Sequence, residues 1–171
     1  KGNDMIDWVL VSGDSIWRAQ NFGQISVTGY EINTKIDINK ILSLKLPISH
    51  LSINYSVNEL DTSSEGFQSA YLLDYLSSKA AFSLSQNISQ KIRIDWRACY
   101  QDREGGFQEF DSGDEIEYLP FWLFSSRISY NLFNKNTLFL EVNNIFNVEY
   151  FDFGNVPQPG RWMRCGIKIR F

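Results

Sequence analysis

The chain has 171 residues, which is long enough for one domain with a sizeable core. Its 16 Lys and Arg against 20 Asp and Glu leave a net charge of −4 without a basic block, which disfavours a nucleic-acid partner. Aromatic residues make up 15% of the chain and Pro is scarce, which favours strands, and no run approaches the ~20 apolar residues of a transmembrane helix.

Alternating patterns predict eight strands in chain order. They are predicted at 5–11, 22–39, 48–60, 68–87, 90–103, 117–132, 136–150 and 160–171. Several are longer than the roughly five or six residues usual in soluble sheets, and a membrane-crossing strand needs about 9–11. The lengths therefore favour an antiparallel membrane barrel over a sandwich.

The connections between these strands alternate in length. Short ones are predicted near 41–47, 88–90 and 133–136, and longer ones at 61–67, 102–117 and 152–159. Outer-membrane barrels show this alternation, because their periplasmic turns are short and their external loops are long.

Apolar and polar side chains alternate along single strands. Positions 92, 94, 96, 98 and 100 are apolar or aromatic, whereas 93, 95, 97 and 101 are polar. In a soluble sandwich the same alternation would separate core from solvent, so it does not decide between the two architectures. Aromatic residues near the strand ends favour the barrel, because their rings suit a membrane interface. They are Trp8, Trp17, Tyr118, Phe121, Trp122, Tyr150, Phe151, Phe153 and Trp162.

The polar side of the strands carries charges that would line a barrel lumen. They are Glu31, Lys35, Arg93, Asp95, Arg97, Arg127, Glu141, Lys168 and Arg170. These charges would either hold a plug through charge-assisted hydrogen bonds or pair only with one another. Cys99 and Cys165 are expected on the outward face, as small apolar residues rather than as a disulfide.

A candidate ligand loop contains Gly105, Gly106, Phe107 and Phe110. The glycines permit backbone conformations that other residues avoid, so the loop would either fold over a ligand or be a plain flexible loop.

No set of residues predicts an enzyme, a metal site or a cofactor. His50 is the single histidine, which leaves neither a histidine-rich metal site nor a Ser-His-Asp arrangement. The acidic stretches 61–65 and 111–115 offer oxygen ligands without the spacing of a calcium loop, and they are interpreted as solvated loops.

The last eight residues form a pattern of their own. Arg164, Gly166, Ile169 and Phe171 stand at the polar, glycine, apolar and terminal aromatic positions of this segment. The pattern resembles the C-terminal signal by which bacterial outer-membrane barrel proteins are handed to their assembly machinery.

A longer segment, from 138 to 161, carries a family likeness. Its marked residues are Asn143, Asn144, Phe146, Tyr150, Pro159, Gly160 and Arg161. The segment resembles the C-terminal part of TonB-dependent outer-membrane receptors, in which an apolar strand runs into an Asn-Leu-Phe-Asp-like turn and a Tyr, then Pro-Gly-Arg and a last strand. Here Ile145 and Asn147 replace the commonest Leu and Asp. Segments 5–8, 17–31 and 118–130 fit the same family.

The resemblance implies that residues 1–171 are the C-terminal section of one antiparallel transmembrane barrel domain of about 22 strands, without its plug. It implies import of a scarce large nutrient of the corrinoid, haem or ferric-siderophore class, as in Bacteroides-type receptors. The implied partners are the plug and earlier barrel strands, the TonB energy-transducing complex, the barrel-assembly machinery and the lipid of a Gram-negative outer membrane. No cofactor is implied.

Two other interpretations stay open at this point. One is a self-contained eight-stranded outer-membrane barrel with a structural or adhesion role, and the other is a soluble β-barrel or sandwich that binds a small ligand. No leader opens the chain at Lys1, so either one has been removed or the chain is the back end of a longer one. Eight open strands would leave two unpaired edges in lipid, so the chain is not expected to act alone unless it closes on itself.

Overall fold

The computed structural model describes residues 2–4, 6–11, 16–21, 24–42, 47–62, 67–69, 74–109, 111–133 and 136–170. These residues are all-β apart from a five-residue helix, α1 (Ile38–Leu42). The strands are β1 (Gly2–Asn3), β2 (Ile6–Val11), β3 (Arg18–Asn21), β4 (Gln24–Asp37), β5 (Ile48–Thr62), β6 (Phe67–Ser69), β7 (Tyr75–Asn87), β8 (Ile92–Glu104), β9 (Gly106–Gln108), β10 (Glu115–Glu117), β11 (Phe121–Asn131), β12 (Thr137–Asn143) and β13 (Trp162–Lys168). Within the described ranges, no helix is long and apolar enough to cross a membrane.

The main sheet is an antiparallel meander in the order β1-β4-β5-β7-β8-β11-β12-β13. Seven of its strands are long, and β1 adds two residues beside Gln24 and Ile25. Among the described residues β13 pairs with β12 alone, so the sheet has a free edge there. Two small sheets accompany it, β3-β2-β6 and the β9-β10 hairpin.

Three predicted strands differ from the structure. The segment 5–11 was expected in the main sheet, but β2 lies in the small sheet, where Val9 packs on Ile25 of β4. The segment 68–87 is divided between β6 and β7, which belong to different sheets. The segment 136–150 ends as a strand at Asn143, because Asn144 and Asn147 adopt φ values of 48° and 54°, which a strand does not allow.

The register of the main sheet separates an apolar face from a polar face. A rung here means residues that lie directly opposite one another on successive strands. One rung on the apolar face is Ile36, Leu51, Leu84, Trp96, Ser126, Val142 and Met163. One rung on the polar face is Asp37, His50, Ser85, Asp95, Arg127, Glu141 and Arg164. The predicted alternation is therefore confirmed across seven strands.

The prediction for the cysteines is half right. Cys165 lies opposite Leu140 on the apolar face, as expected. Cys99 lies opposite Ala81 and Leu123, on the polar face, because it is an even number of residues from Arg97. Both thiols are free.

The apolar face is uncovered. The buried apolar side chains of the described residues are Val9, Ile25, Ala80 and Tyr118. By contrast, Trp96 is 43% exposed, and a similar exposure extends over the apolar side chains of β11, β12 and β13. Contiguous exposed apolar patches of this kind mark interaction or membrane surfaces.

All long connections lie at one end of the main sheet, which we call the long-loop end. It is where β5 and β8 end, where β7 and β11 begin, and where β12 passes to β13. The opposite end carries α1 and the short turns 88–91 and 132–136. The bounds of the flanking strands confirm the predicted short connections near 88–90 and 133–136 and the long ones after β5, β8 and β12, whereas the connection predicted as short at 41–47 extends over 38–47 and includes α1.

Candidate functional site

A network of polar side chains joins the loops at the long-loop end. Asp74 accepts a hydrogen bond of 2.7 Å from Arg103 Nη1 and one of 2.9 Å from the hydroxyl of Tyr118. That hydroxyl in turn accepts a 2.6 Å hydrogen bond from the N–H of Gly154. Arg103 also reaches Asp152, with 3.5 Å between Nη2 and Oδ1. Segments more than forty residues apart are thereby held together.

Tyr118 is the centre of this network. Its side chain is buried, and burial raises the pKa of its hydroxyl above the ordinary value of 10.0. The hydrogen bond that it donates to Asp74 raises the pKa further. Tyr118 therefore acts here as a neutral donor and acceptor between two loops.

The candidate ligand loop forms the β9-β10 hairpin. Gly105 has a φ of 97°, and Gly106 passes so close to β10 that a Cβ would lie 2.6 Å from the carbonyl oxygen of Ile116. The ring of Phe107 packs 5.5 Å from Tyr118 and 4.9 Å from Phe151, measured between centroids. Phe110 lies outside the described residues. Movement of this loop over a ligand stays a prediction.

A row of aromatic rings continues from the hairpin along the outer part of β11. Phe121 packs on Tyr150 with 4.5 Å between centroids. On the apolar face, Phe124 lies 5.9 Å from Trp122 and 5.2 Å from Phe146. The rings border a groove of about 610 Å³ between β11 and the segment that follows β12.

The family-motif residues build the turn between β12 and β13. The buried amide of Asn144 donates to the carbonyl oxygens of Val148, at 2.8 Å, and Pro159, at 3.3 Å, and it accepts from the N–H of Val148 at 2.9 Å. Asn147 accepts a 2.8 Å hydrogen bond from the N–H of Arg161. These bonds close the connection before β13 begins.

Other motif residues have more limited contacts. Gly160 passes close to Asn147, since a Cβ there would lie 2.6 Å from Oδ1 of Asn147 and would force this side chain to shift. The amide of Asn143 donates to Glu141 at 3.3 Å. The ring of Tyr150 packs against Phe121 at an angle of 41° between the ring planes, and its carbonyl oxygen accepts from the N–H of Gln158 at 3.0 Å.

Glu141 is the most connected charge on the polar face. Its buried carboxylate accepts two hydrogen bonds from Arg164 Nη2, at 3.0 and 2.9 Å, and lies 3.5 Å from Arg127 Nη1. Arg127 also lies over the ring of Phe139, 4.0 Å from its centroid. The structure thus brings three predicted side chains, one on each of β11, β12 and β13, into one cluster.

The other predicted lumen charges are spread over the same face. Arg93 pairs with Asp95 at 2.8 Å, and Glu31 accepts hydrogen bonds from Asn33 and Asn54. A second concavity, of about 530 Å³, lies beside the Arg93 and Asp95 pair at the short-turn end of the sheet. It is bordered by Arg93, Asp95, Arg97, Arg127, Lys168 and Arg170.

The assembly-signal residues lie at the free edge of the sheet. Arg164 faces Glu141, and Gly166 lies opposite Phe139 on the polar face. Ile169 follows the end of β13 and is 52% exposed. Phe171 lies outside the described residues.

Several residues of the long-loop network were not predicted. Asp74 and Asp152 gave no signal, because isolated aspartates in loops are common and their partners lie far away in the sequence.

Asn147, in the turn after β12, was named only as a residue of the motif that replaces an Asp. Its amide oxygen accepts the Arg161 N–H as a carboxylate would. In the part of the chain that the structure describes, no group of three His, Cys, Asp or Glu side chains is placed to hold a metal ion.

Comparison with known proteins found no matching family model, no matching curated protein and no matching solved structure.

Proposed function

We propose that the chain is the C-terminal section of a TonB-dependent outer-membrane receptor. In this proposal it forms about a third of a barrel of about 22 strands that imports a scarce large nutrient of the corrinoid, haem or ferric-siderophore class. The plug, the earlier strands and the segment that engages the TonB complex would complete the receptor. The observation that carries the proposal is the uncovered apolar face of the main sheet.

The height of this face fits a membrane. Five successive apolar-face rungs, which begin at Ile32, Thr34, Ile36, Ile48 and Ile92, carry no charged side chain in the described sheet. At ~3.4 Å per residue they span about 27 Å along a strand, or about 21 Å across a membrane at a tilt of ~40°. Outer-membrane barrels have an apolar band of about 25 Å.

The polar face suits a lumen rather than lipid. It holds the Arg127, Glu141 and Arg164 cluster on β11, β12 and β13, one residue from the middle of the five apolar rungs, and a cation facing lipid at the bilayer midplane would cost about 2–4 kcal/mol. The charges lie on the face opposite the apolar rungs. This arrangement supports a barrel whose interior is polar.

The free edge supports a larger barrel. An unpaired edge in lipid leaves backbone groups without hydrogen bonds, which costs several kcal/mol for each group. A self-contained eight-stranded barrel would pair β13 with the first strand, whereas the described β13 pairs with β12 alone. Further strands of the receptor would cover both edges.

The deciding experiment is the intact mass of the native protein that contains the peptide Trp162–Arg170, purified from washed outer membranes. We expect a mass several times 19.8 kDa. A mass near 19.8 kDa would contradict the proposal and favour a small barrel. Deletion of the gene should then abolish growth on one of the three nutrient classes, and restoring the gene in a strain without TonB should leave that growth absent.

A further inference from the structure

We propose that the groove beside the outer part of β11 binds an amphipathic organic cation. The apolar part of this ligand would lie against the aromatic rings, and its charge would lie at Glu117 and Glu149. The site takes no part in nutrient import, but it rests on the membrane placement proposed above, because Trp122 and Phe124 belong to the two outermost apolar rungs.

The groove exists because β12 leaves β11 early. The ladder between these strands begins at Ser126, so the preceding residues of β11, from Phe121 on, have no β12 residue opposite them. The segment 144–151 runs along this edge instead and is attached by a 2.8 Å hydrogen bond from the N–H of Ile145 to the carbonyl oxygen of Phe124. The volume of about 610 Å³ lies within the range of ~300–1,000 Å³ usual for ligand pockets.

The lining of the groove is mainly aromatic. Rings reach it from the hairpin, from β11 and from the segment after β12. They include Phe107, Tyr118, Phe121, Trp122, Phe146 and Tyr150. Trp122 is 42% exposed and Phe146 is 68% exposed, so both offer ring surface to a ligand. Aromatic faces attract organic cations through the ring quadrupole.

The charged side chains of the groove favour a ligand of positive charge. Its charged lining residues are Glu109, Glu117 and Glu149, and no Lys or Arg of the described chain lines it. Glu109 accepts a 2.8 Å hydrogen bond from Ser112, whereas Glu117 and Glu149 have no ion-pair partner among the described residues. Both are exposed at the rim. An anion would meet three carboxylates there, whereas a cation would meet them beside the rings.

Two probes of equal shape and opposite charge test the proposal. Tetraphenylphosphonium and tetraphenylborate are titrated calorimetrically into the full-length protein in lipid nanodiscs, and the heat from empty nanodiscs is subtracted. We expect saturable binding of the phosphonium, with one site for each protein, and no saturable binding of the borate. Equal binding of both ions, or binding of neither, would overturn the proposal.

Variants locate the site. The double variant Glu117→Gln with Glu149→Gln should weaken phosphonium binding about tenfold, because it removes both unpaired carboxylates. Glu59→Gln with Glu104→Gln changes the net charge equally outside the groove and should leave the affinity unchanged. Equal affinity of the two double variants would contradict the assignment.

A third variant tests the same groove through a ring instead of a carboxylate, so that misfolding of the glutamate double variant does not decide the result. Phe146→Ser removes one exposed ring, which packs edge-on against Phe124, and it should also weaken phosphonium binding. Full affinity in Phe146→Ser would overturn the location. A native mass near 19.8 kDa would contradict the receptor proposal but would not affect these binding results.

Discussion

The ring of Phe139 lies over Gly166 on the neighbouring strand. A Cβ at Gly166 would come within 2.8 Å of Cε1 and Cζ of this ring. The ring also holds the guanidinium of Arg127, 4.0 Å from its centroid. The glycine at the third position of the predicted assembly signal therefore makes room for an aromatic residue on the polar face, as ring-over-glycine pairs do in other sheets.

Gly166→Ala should destabilise the protein by about 1–3 kcal/mol, because the new methyl group forces the Phe139 ring to move. Urea unfolding of the full-length protein in detergent measures this. In Phe139→Leu, which removes the ring, the added cost of Gly166→Ala should largely disappear. Cys165→Ala, which changes the opposite face of the same strand, is the control. Equal costs of Gly166→Ala with and without the ring would refute the explanation.

Glu141→Gln should cost about 1.5–3 kcal/mol of unfolding free energy, since it weakens two charge-assisted hydrogen bonds to a side chain that is 5% exposed. Asp95→Asn is the matched comparison, because the Arg93 and Asp95 side chains are 48% and 25% exposed. We expect that change to cost less than about 1 kcal/mol. The same urea titrations measure both, and a larger cost for Asp95→Asn would contradict the ranking.

Asn144→Asp and Asn147→Asp should differ although the chemical change is identical. The amide of Asn144 donates two hydrogen bonds in a buried site, so a carboxylate there would face two carbonyl oxygens at a cost of about 2–3 kcal/mol. Among the described residues the side chain of Asn147 accepts a hydrogen bond from Arg161 and donates none, and Asp accepts equally well, so we expect a cost of less than about 0.5 kcal/mol. If the chain is part of the outer-membrane receptor proposed above, the amount of folded protein, scored by heat-shifted gel mobility, should fall for Asn144→Asp alone.

The raised pKa of Tyr118 predicts a loss of stability in alkali. The folded state keeps the phenol proton after the unfolded chain, with its ordinary pKa near 10.0, has lost it. The stabilisation is therefore complete below about pH 10 and decreases as the pH rises through the folded pKa. Tyr118→Phe should reduce the fall in unfolding free energy between pH 8 and about pH 10.5. Tyr30→Phe, at an exposed tyrosine, should retain it, and equal slopes in the two variants would contradict the prediction.

Ile128→Arg and Ser129→Arg place the same cation at neighbouring positions on opposite faces of β11. Ile128 lies opposite Ile94 and Leu140 on the apolar face, and Ser129 lies opposite Arg93 and Phe139 on the polar face. In a membrane barrel Ile128→Arg should cost ~2–4 kcal/mol and lower the amount of inserted protein. Ser129→Arg should insert normally. If both variants insert equally, the apolar face does not meet lipid.

Much of the main sheet could be predicted because facing is a local property. Residues two apart share a face, so the alternation in 92–101 predicted both faces of β8 correctly. The same rule places Cys99 beside Arg97, and the outward assignment of this cysteine departed from it. The sheet to which the segment 5–11 belongs could not be predicted in this way, because its pattern specifies a strand but does not specify the strands that pair with β2.

The turn after β12 shows a second limit of prediction from the sequence. The motif marked Asn144, Gly160 and Arg161 through family likeness, but the reason for their spacing is a set of hydrogen bonds that bridges the turn. Asn147 was noted only as a departure from the commonest residue. Its positive φ and its contact with Arg161 give it the same task that an Asp would perform.

The sequence by itself determined the all-β class, the two faces of the long strands and the alternation of short and long connections, since each depends on residues that are close in the chain. Only the tertiary structure decided which strands pair and which side chains meet at the long-loop end. Asp74, Tyr118 and Gly154 come together there although they lie far apart in sequence. Such contacts depend on sheet order and on where loops cross, and neither is encoded in the spacing of any single segment.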